Sequence, residues 1–167
     1  LCPDAPEICK ISPSGFQWFD LNTDDKEYIL NESKKAENKL NQYIEEVKLE
    51  YKLNNSQICI SGFSQGCMMS LNVGLTSNES FNCIVGFSGK IIDMNDLSSR
   101  IKAQTNILMI HGDLDPIVSP SSLLDAKDFF IRKKINIETL MIKNCDHHIP
   151  IEASSAALKF IKKNLIN

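Results

Sequence analysis

At 167 residues, 43% hydrophobic and 23% charged with a net charge of −3, the sequence describes one globular domain with enough apolar content for a real core. Its lysines alternate with glutamates instead of forming a basic face, which excludes a nucleic-acid binder. No apolar run approaches the ~20 residues of a membrane span, so no stable membrane insertion is expected.

The start carries no secretory signal, and the chain opens on Leu1 without a methionine, so residues upstream of it are expected. Six cysteines (Cys2, Cys9, Cys59, Cys67, Cys83 and Cys145) include no C-x-x-C pair, and Cys59 and Cys83 sit inside apolar runs. They read as small buried hydrophobes in a reducing compartment, with neither a metal site nor another cofactor. A cytoplasmic location follows as the expectation.

Leu1 to Asp20 is broken by Pro3, Pro6, Pro13 and Gly15 and reads as a long irregular surface connection. It contains the only tryptophan, in Gln17-Trp18-Phe19. Trp18 either packs this loop onto the core, which the sequence favours, or walls an acyl pocket. Asn22 to Leu53 is predicted helical. Asn22, Thr23 and Asp24 offer N-cap chemistry, and Ala36, Leu40, Tyr43, Ile44, Val47 and Tyr51 recur at helical spacing. Asn54-Asn55 ends that helix.

A short buried strand around Ile58-Cys59-Ile60 then leads into Gly62-Phe63-Ser64-Gln65-Gly66, and Cys67 to Leu75 has helix-like content. Strand, G-x-S-x-G and helix in that order make a nucleophile elbow, in which the serine sits on a strained turn and flanking glycines remove Cβ clashes. The helix after it aims free N–H groups at the place where an oxyanion would form. Three fixed positions alone are a weak signal, and the bland alternative is a Gly-rich turn with a solvent-facing serine.

Further on, Cys83 to Phe87 is a second buried strand closed by Ser88-Gly89, and Asn106 to Ile110 is a third. Ser119-Pro120 opens a helix that runs to about Lys134. Ile135 to Ile142 is a fourth strand, amphipathic enough for an edge. Asn144 to His148 is a loop, and the last helix spans Pro150 to Leu165. Strands alternating with helices imply parallel βαβ units with ligands at the carboxyl ends of the strands. Ser64, Asp115 and His147 each follow such a strand, in the Ser–Asp–His chain order of α/β-hydrolases.

With these residues in view, the chain resembles the phospholipase/carboxylesterase family that includes the acyl-protein thioesterases. Gly62-Phe63-Ser64-Gln65-Gly66 matches its G-F-S-Q-G, and His111-Gly112-x-x-Asp115-Pro116-x-Val118 matches its H-G-x-x-D-x-x-V. Pro3-Asp4-Ala5-Pro6 and Gln17-Trp18-Phe19 resemble its P-x-A-P loop and Q/S-W-F segment. The resemblance selects Asp115 over Asp113, and both remain possible turn formers. It selects His147 over His148, with Asp146 standing where the family has glycine. His111 reads as structural.

What the resemblance implies is one α/β-hydrolase domain over residues 1–167, a mostly parallel sheet flanked by helices and lacking its N-terminal strands. It implies a serine hydrolase acting on carboxylic esters, acyl thioesters or lysophospholipids, whose partner is a small or lipid-like acyl ester or thioester, or an acylated protein. Ser64, Asp115 and His147 would be catalytic, the Gln65 backbone N–H would bind the oxyanion, and Trp18 and Phe63 would border the substrate. In this fold a second oxyanion donor comes from a Gly-rich H-G segment upstream of the P-x-A-P loop, and none precedes Ser64 here. An open hydrophobic sheet edge is expected in consequence. A small peptidase and a non-catalytic remnant are the alternative readings.

Overall fold

The computed structural model describes residues 1–10, 12 and 14–165. Pro13, one of the residues read above as breaking periodicity, lies outside the described residues. Two short strands, β1 (Glu7–Ile8) and β2 (Phe16–Gln17), pair antiparallel in the segment expected to be irregular. The long helix α1 spans Lys26–Tyr51. It starts later than expected: Asp25 is the N-cap and accepts the Tyr28 N–H, while Thr23 is spent on the Asp25 N–H. Then come β3 (Cys59–Phe63), α2 (Gln65–Thr76), β4 (Cys83–Phe87), α3 (Met94–Arg100), β5 (Asn106–Gly112), α4 (Ser121–Arg132), β6 (Ile137–Ile142) and α5 (Ile151–Leu165).

β3 to β6 form one parallel sheet in sequential order. Its central strands are buried on both faces, as parallel strands between helices must be. Alternate residues of β5 therefore enter different clusters. Ile107 and Met109 pack with α2, α3 and α4 through Leu71, Leu75, Leu97, Leu123 and Phe130. Leu108 and Ile110 pack under α5 with Ala153, Ala157 and Phe160. A third cluster joins α1 to α2 and the loop before α1 through Leu40, Ile44, Met69, Val73 and Phe19. Cys67, Cys83 and Cys145 are buried packing groups, but Cys9 and Cys59 are only half-buried and Cys2, near the start of the chain, is exposed, against the expectation for all six. Cys67 is fully buried, and burial pushes its thiol up to about 12.

α3 is absent from the sequence reading, because its seven residues show no convincing stripe. Asp93 caps it by accepting the Asp96 N–H, and its last residue carries a long-range anchor. Arg100 makes two hydrogen bonds to the buried Glu37 of α1, at 2.8 and 3.1 Å, and reaches Asp96 at 2.7 Å. Asn72 of α2 donates to Glu37 and Lys34 pairs with Asp96. Burial opposes ionisation of Asp96, but Lys34 and Arg100 outweigh it and hold the carboxyl below its ordinary range. Among the described residues, β3 is an edge strand. The edge is less open than expected: it is only five residues long, and Leu1–Pro3, Trp18 and α1 wall a cavity of about 490 Å³ along it.

Candidate active site

β3 delivers Ser64 directly into α2. Its N–H still donates to Phe87 O at 2.8 Å, extending the β3–β4 ladder, while its own C=O accepts from Cys67 and Met68 to begin the helix. Serving both partners forces an abrupt change of direction, and Ser64 pays with φ 53° and ψ −116°. A serine held in that sparsely populated region is strained, and strain of this kind collects at functional sites.

The two glycines have different roles, which corrects the expectation that both relieve clashes. A Cβ on Gly62 would run into the backbone of Gly66 and Cys67, whereas a Cβ on Gly66 would meet open space. The Gly62→Ala substitution is therefore expected to destabilise the fold by about 3 kcal/mol or more, because neither backbone can yield. Gly66→Ala should fall within about 1 kcal/mol of the parent, with a gain in helix propensity on its side. Urea unfolding midpoints of the two variants check this, and equal midpoints would refute it.

Asp115 and His147 lie on the loops after β5 and β6. His147 Nδ1 lies 2.7 Å from Asp115 Oδ2, and His147 Nε2 lies 3.0 Å from Ser64 Oγ. The Asp115 side chain is fully buried, and its Oδ1 accepts the N–H groups of Ile117 and Val118, both at 2.9 Å. Burial alone would raise the Asp115 pKa. The His147 hydrogen bond and the Val118 and Ile117 N–H groups overcome it and hold the carboxyl below its ordinary range. The ionised acid then fixes a proton on Nδ1 and leaves the Nε2 lone pair facing the serine.

Asp113 and His148, the other candidates, lie close by with other partners. Asp113 Oδ1 accepts the Cys145 N–H at 3.4 Å, and Leu114 N–H donates to Cys145 O at 3.0 Å, so this aspartate joins the acid loop to the base loop. A Cβ on Gly112 would strike the Cys145 and Asp146 carbonyls, which shows how tightly those loops meet. His148 is exposed and bonds Asp146. Asp146 needs no glycine-like backbone, because the positive φ of this loop falls on Asn144, at 52°.

His111 was read from sequence only as structural. Its Nε2 lies 2.9 Å from Val118 O and 3.2 Å from Asp115 Oδ2, directly beneath the acid. Because a carbonyl only accepts, Nε2 carries the proton. The sequence signal for this contact is the spacing of His111, Asp115 and Val118.

Phe63 packs against the His147 ring at a 45° tilt, with centroids 4.7 Å apart, and also borders the edge cavity with Trp18. Ser64, Asp115 and His147 are not among the walls of that cavity, which reaches the elbow only through Gly62, Phe63 and Gly66. Trp18 packs against the Phe19 cluster, the role the sequence favoured, and it also lines this edge cavity. Gln65 opens α2, so its N–H has no intrahelical acceptor and stands beside Ser64.

Residues 1–165 match the phospholipase/carboxylesterase family model. The chain belongs to the phospholipase/carboxylesterase family. It is 32% identical to acyl-protein thioesterase 1 of Saccharomyces cerevisiae over 174 residues, covering 98% of this chain and 76% of that protein. It is 28% identical to acyl-protein thioesterase 1 homolog 1 of Dictyostelium discoideum over 175 residues, covering 99% and 76%. The crystal structure of esterase PE8 superimposes with a TM-score of 0.91 at 29% identity, covering 96% of this chain and 76% of that one. The α/β-hydrolase fold of this phospholipase/carboxylesterase family is thus shared along nearly the whole chain. Among the described residues, no helix is long and apolar enough to cross a membrane.

Proposed function

We propose that this chain is a serine hydrolase that cleaves carboxylic esters, acyl thioesters or lysophospholipids through an acyl-enzyme, with residues 1–167 acting as one domain. The observation that carries the reading is the continuous hydrogen-bonded line from Asp115 through His147 to Ser64, ending on a serine held at φ 53°. Family membership and relatives named as acyl-protein thioesterases support a thioester of an acylated protein among the substrates.

In this mechanism Ser64 Oγ attacks the acyl carbonyl while His147 Nε2 takes its proton. Asp115 stabilises the imidazolium, and the Gln65 N–H receives the charge developing on the carbonyl oxygen. His147 then gives the proton to the departing alcohol or thiol, and a water activated by the same nitrogen releases the acid. No metal or organic cofactor enters these steps. A reducing, cytoplasmic setting belongs to the reading, supported by Cys67, Cys83 and Cys145 placed as small buried side chains with free thiols.

The test is a parallel assay of acyl p-nitrophenyl esters, a long-chain acyl thioester and peptide p-nitroanilides. Ester and thioester turnover without anilide cleavage is expected. Anilide cleavage exceeding ester cleavage would establish the peptidase alternative. Inertness of a demonstrably folded chain toward every substrate would leave a non-catalytic member of the fold.

A further inference from the structure

The Gln65 side chain has no part in the steps above, yet both ends of its amide are hydrogen-bonded beside the nucleophile. Its Oε1 accepts the backbone N–H of Trp18 at 2.8 Å, and its Nε2 donates to the backbone C=O of Phe19 at 2.7 Å. Each partner can serve in only one sense, so the amide orientation is fixed. The primary amide thus bridges the N–H and C=O of two successive residues in a bend just after β2, 47 and 46 residues away in sequence. That segment is itself immobilised. Phe19 is 1% exposed among Ile44, Ile60, Met69 and Val73, and Trp18 packs beside it.

The consequence runs back to the elbow. Gln65 follows the strained serine and opens α2, where no preceding helical turn restrains it. Tying its side chain to a core-anchored segment removes the freedom of the one residue whose N–H faces the developing charge. We propose that the Gln65 side chain is a positioning residue that clamps the Trp18–Phe19 segment to the elbow and thereby holds the Gln65 N–H in its oxyanion-binding orientation. This rests on the hydrolase reading for its kinetic half, while the clamp itself can be tested without turnover.

The variant Gln65→Met keeps the length of the side chain and removes both hydrogen bonds. Gln65→Glu keeps the acceptor for Trp18 but sets a carboxylate oxygen against the Phe19 carbonyl, and it serves where the methionine variant folds poorly. Trp18 is the only tryptophan, so its emission reports the segment directly. In both variants emission should move to longer wavelength, with stronger quenching by acrylamide, at temperatures well below unfolding. Measured per serine titrated with a fluorophosphonate, kcat on a short acyl ester should fall roughly tenfold with KM unchanged, as for an interaction felt only in the transition state. That is less than the 10²–10³ lost when an oxyanion donor is removed outright.

Normalising to titrated serine separates positioning from a simple loss of folded protein. Unchanged Trp18 emission and quenching in a folded variant would overturn the clamp. Altered emission with unchanged kcat per active serine would overturn its transmission to the N–H. A parent chain without turnover would defeat the hydrolase reading, while the emission result would still decide the clamp.

Discussion

Replacing Ser64 by alanine is expected to abolish covalent labelling by a fluorophosphonate and to lower kcat by about 10⁴–10⁶-fold, the range seen when the nucleophile of such a constellation is deleted. The parent chain should gain the mass of one phosphonyl group, and the variant none. The size of the effect follows from geometry. Only Ser64 Oγ lies within hydrogen-bond reach of His147 Nε2, at 3.0 Å, and the neighbouring Ser61 and Ser88 have no such contact among the described hydrogen bonds. Stability should change little or improve, because alanine keeps the backbone turn and loses no buried hydrogen bond besides that one. A variant that still labels at one site per chain would mean that another residue is the nucleophile, and the assignment would fail.

Asp115→Asn should cost about 10⁴-fold in kcat with the fold retained, and the reason lies in which oxygen is already committed. Ile117 and Val118 direct two N–H groups at Oδ1, so the asparagine carbonyl oxygen must stay there. Its amide nitrogen then takes the place of Oδ2, facing His147 Nδ1 and the protonated Nε2 of His111. The His147 proton is driven to Nε2, and the imidazole presents a donor to Ser64 where an acceptor is required. Activity and fluorophosphonate labelling rate should fall together, and a variant within tenfold of the parent would refute this account of the acid.

A stability difference should accompany the loss. A carboxyl held below its ordinary pKa stabilises the fold above the unfolded value, ~3.9, and loses that contribution as pH falls through the folded value. The gap between parent and variant should therefore narrow on acidification below about pH 4.

The parallel sheet was legible because β4 and β5 are continuous apolar runs bounded by Gly and polar residues, a pattern few other structures satisfy. The elbow was legible because its glycines and serine stand between such a run and a helix. Candidates that residue pattern alone left equivalent differ in their tertiary contacts. Asp113 and Asp115 are both plausible after β5, and they separate only because the N–H groups of Ile117 and Val118 converge on one of them while the Cys145 N–H faces the other. His147 and His148 differ in that the first packs against Phe63 and the second faces solvent. The roles of Ser64, Asp115 and His147 rest on the proposal above; the fold accounts for their convergence.

The start of α1 was misplaced because Asn22, Thr23, Asp24 and Asp25 are all competent caps, and only the backbone chooses among them. β1 and β2 have two residues each, too few for any period. The second role of Gln65 was hidden by distance, since its partners lie far back in the chain.

Arg100 serves two carboxylates at once, and one of them, Glu37, is shared with Asn72. Three helices that sequence places far apart are thereby locked into a single mechanical unit. Substitutions at Glu37, Asp96 and Arg100 should not simply add: once the guanidinium is gone, Glu37 has lost its cationic partner and Asp96 one of two, Lys34 being the other, and a second change costs less than it would alone. Removing Arg100 while leaving Glu37 is the harsher single step, since it strands a buried carboxylate. α1, α2 and α3 should accordingly open together in hydrogen exchange, as one cooperative block beneath the elbow that α2 begins.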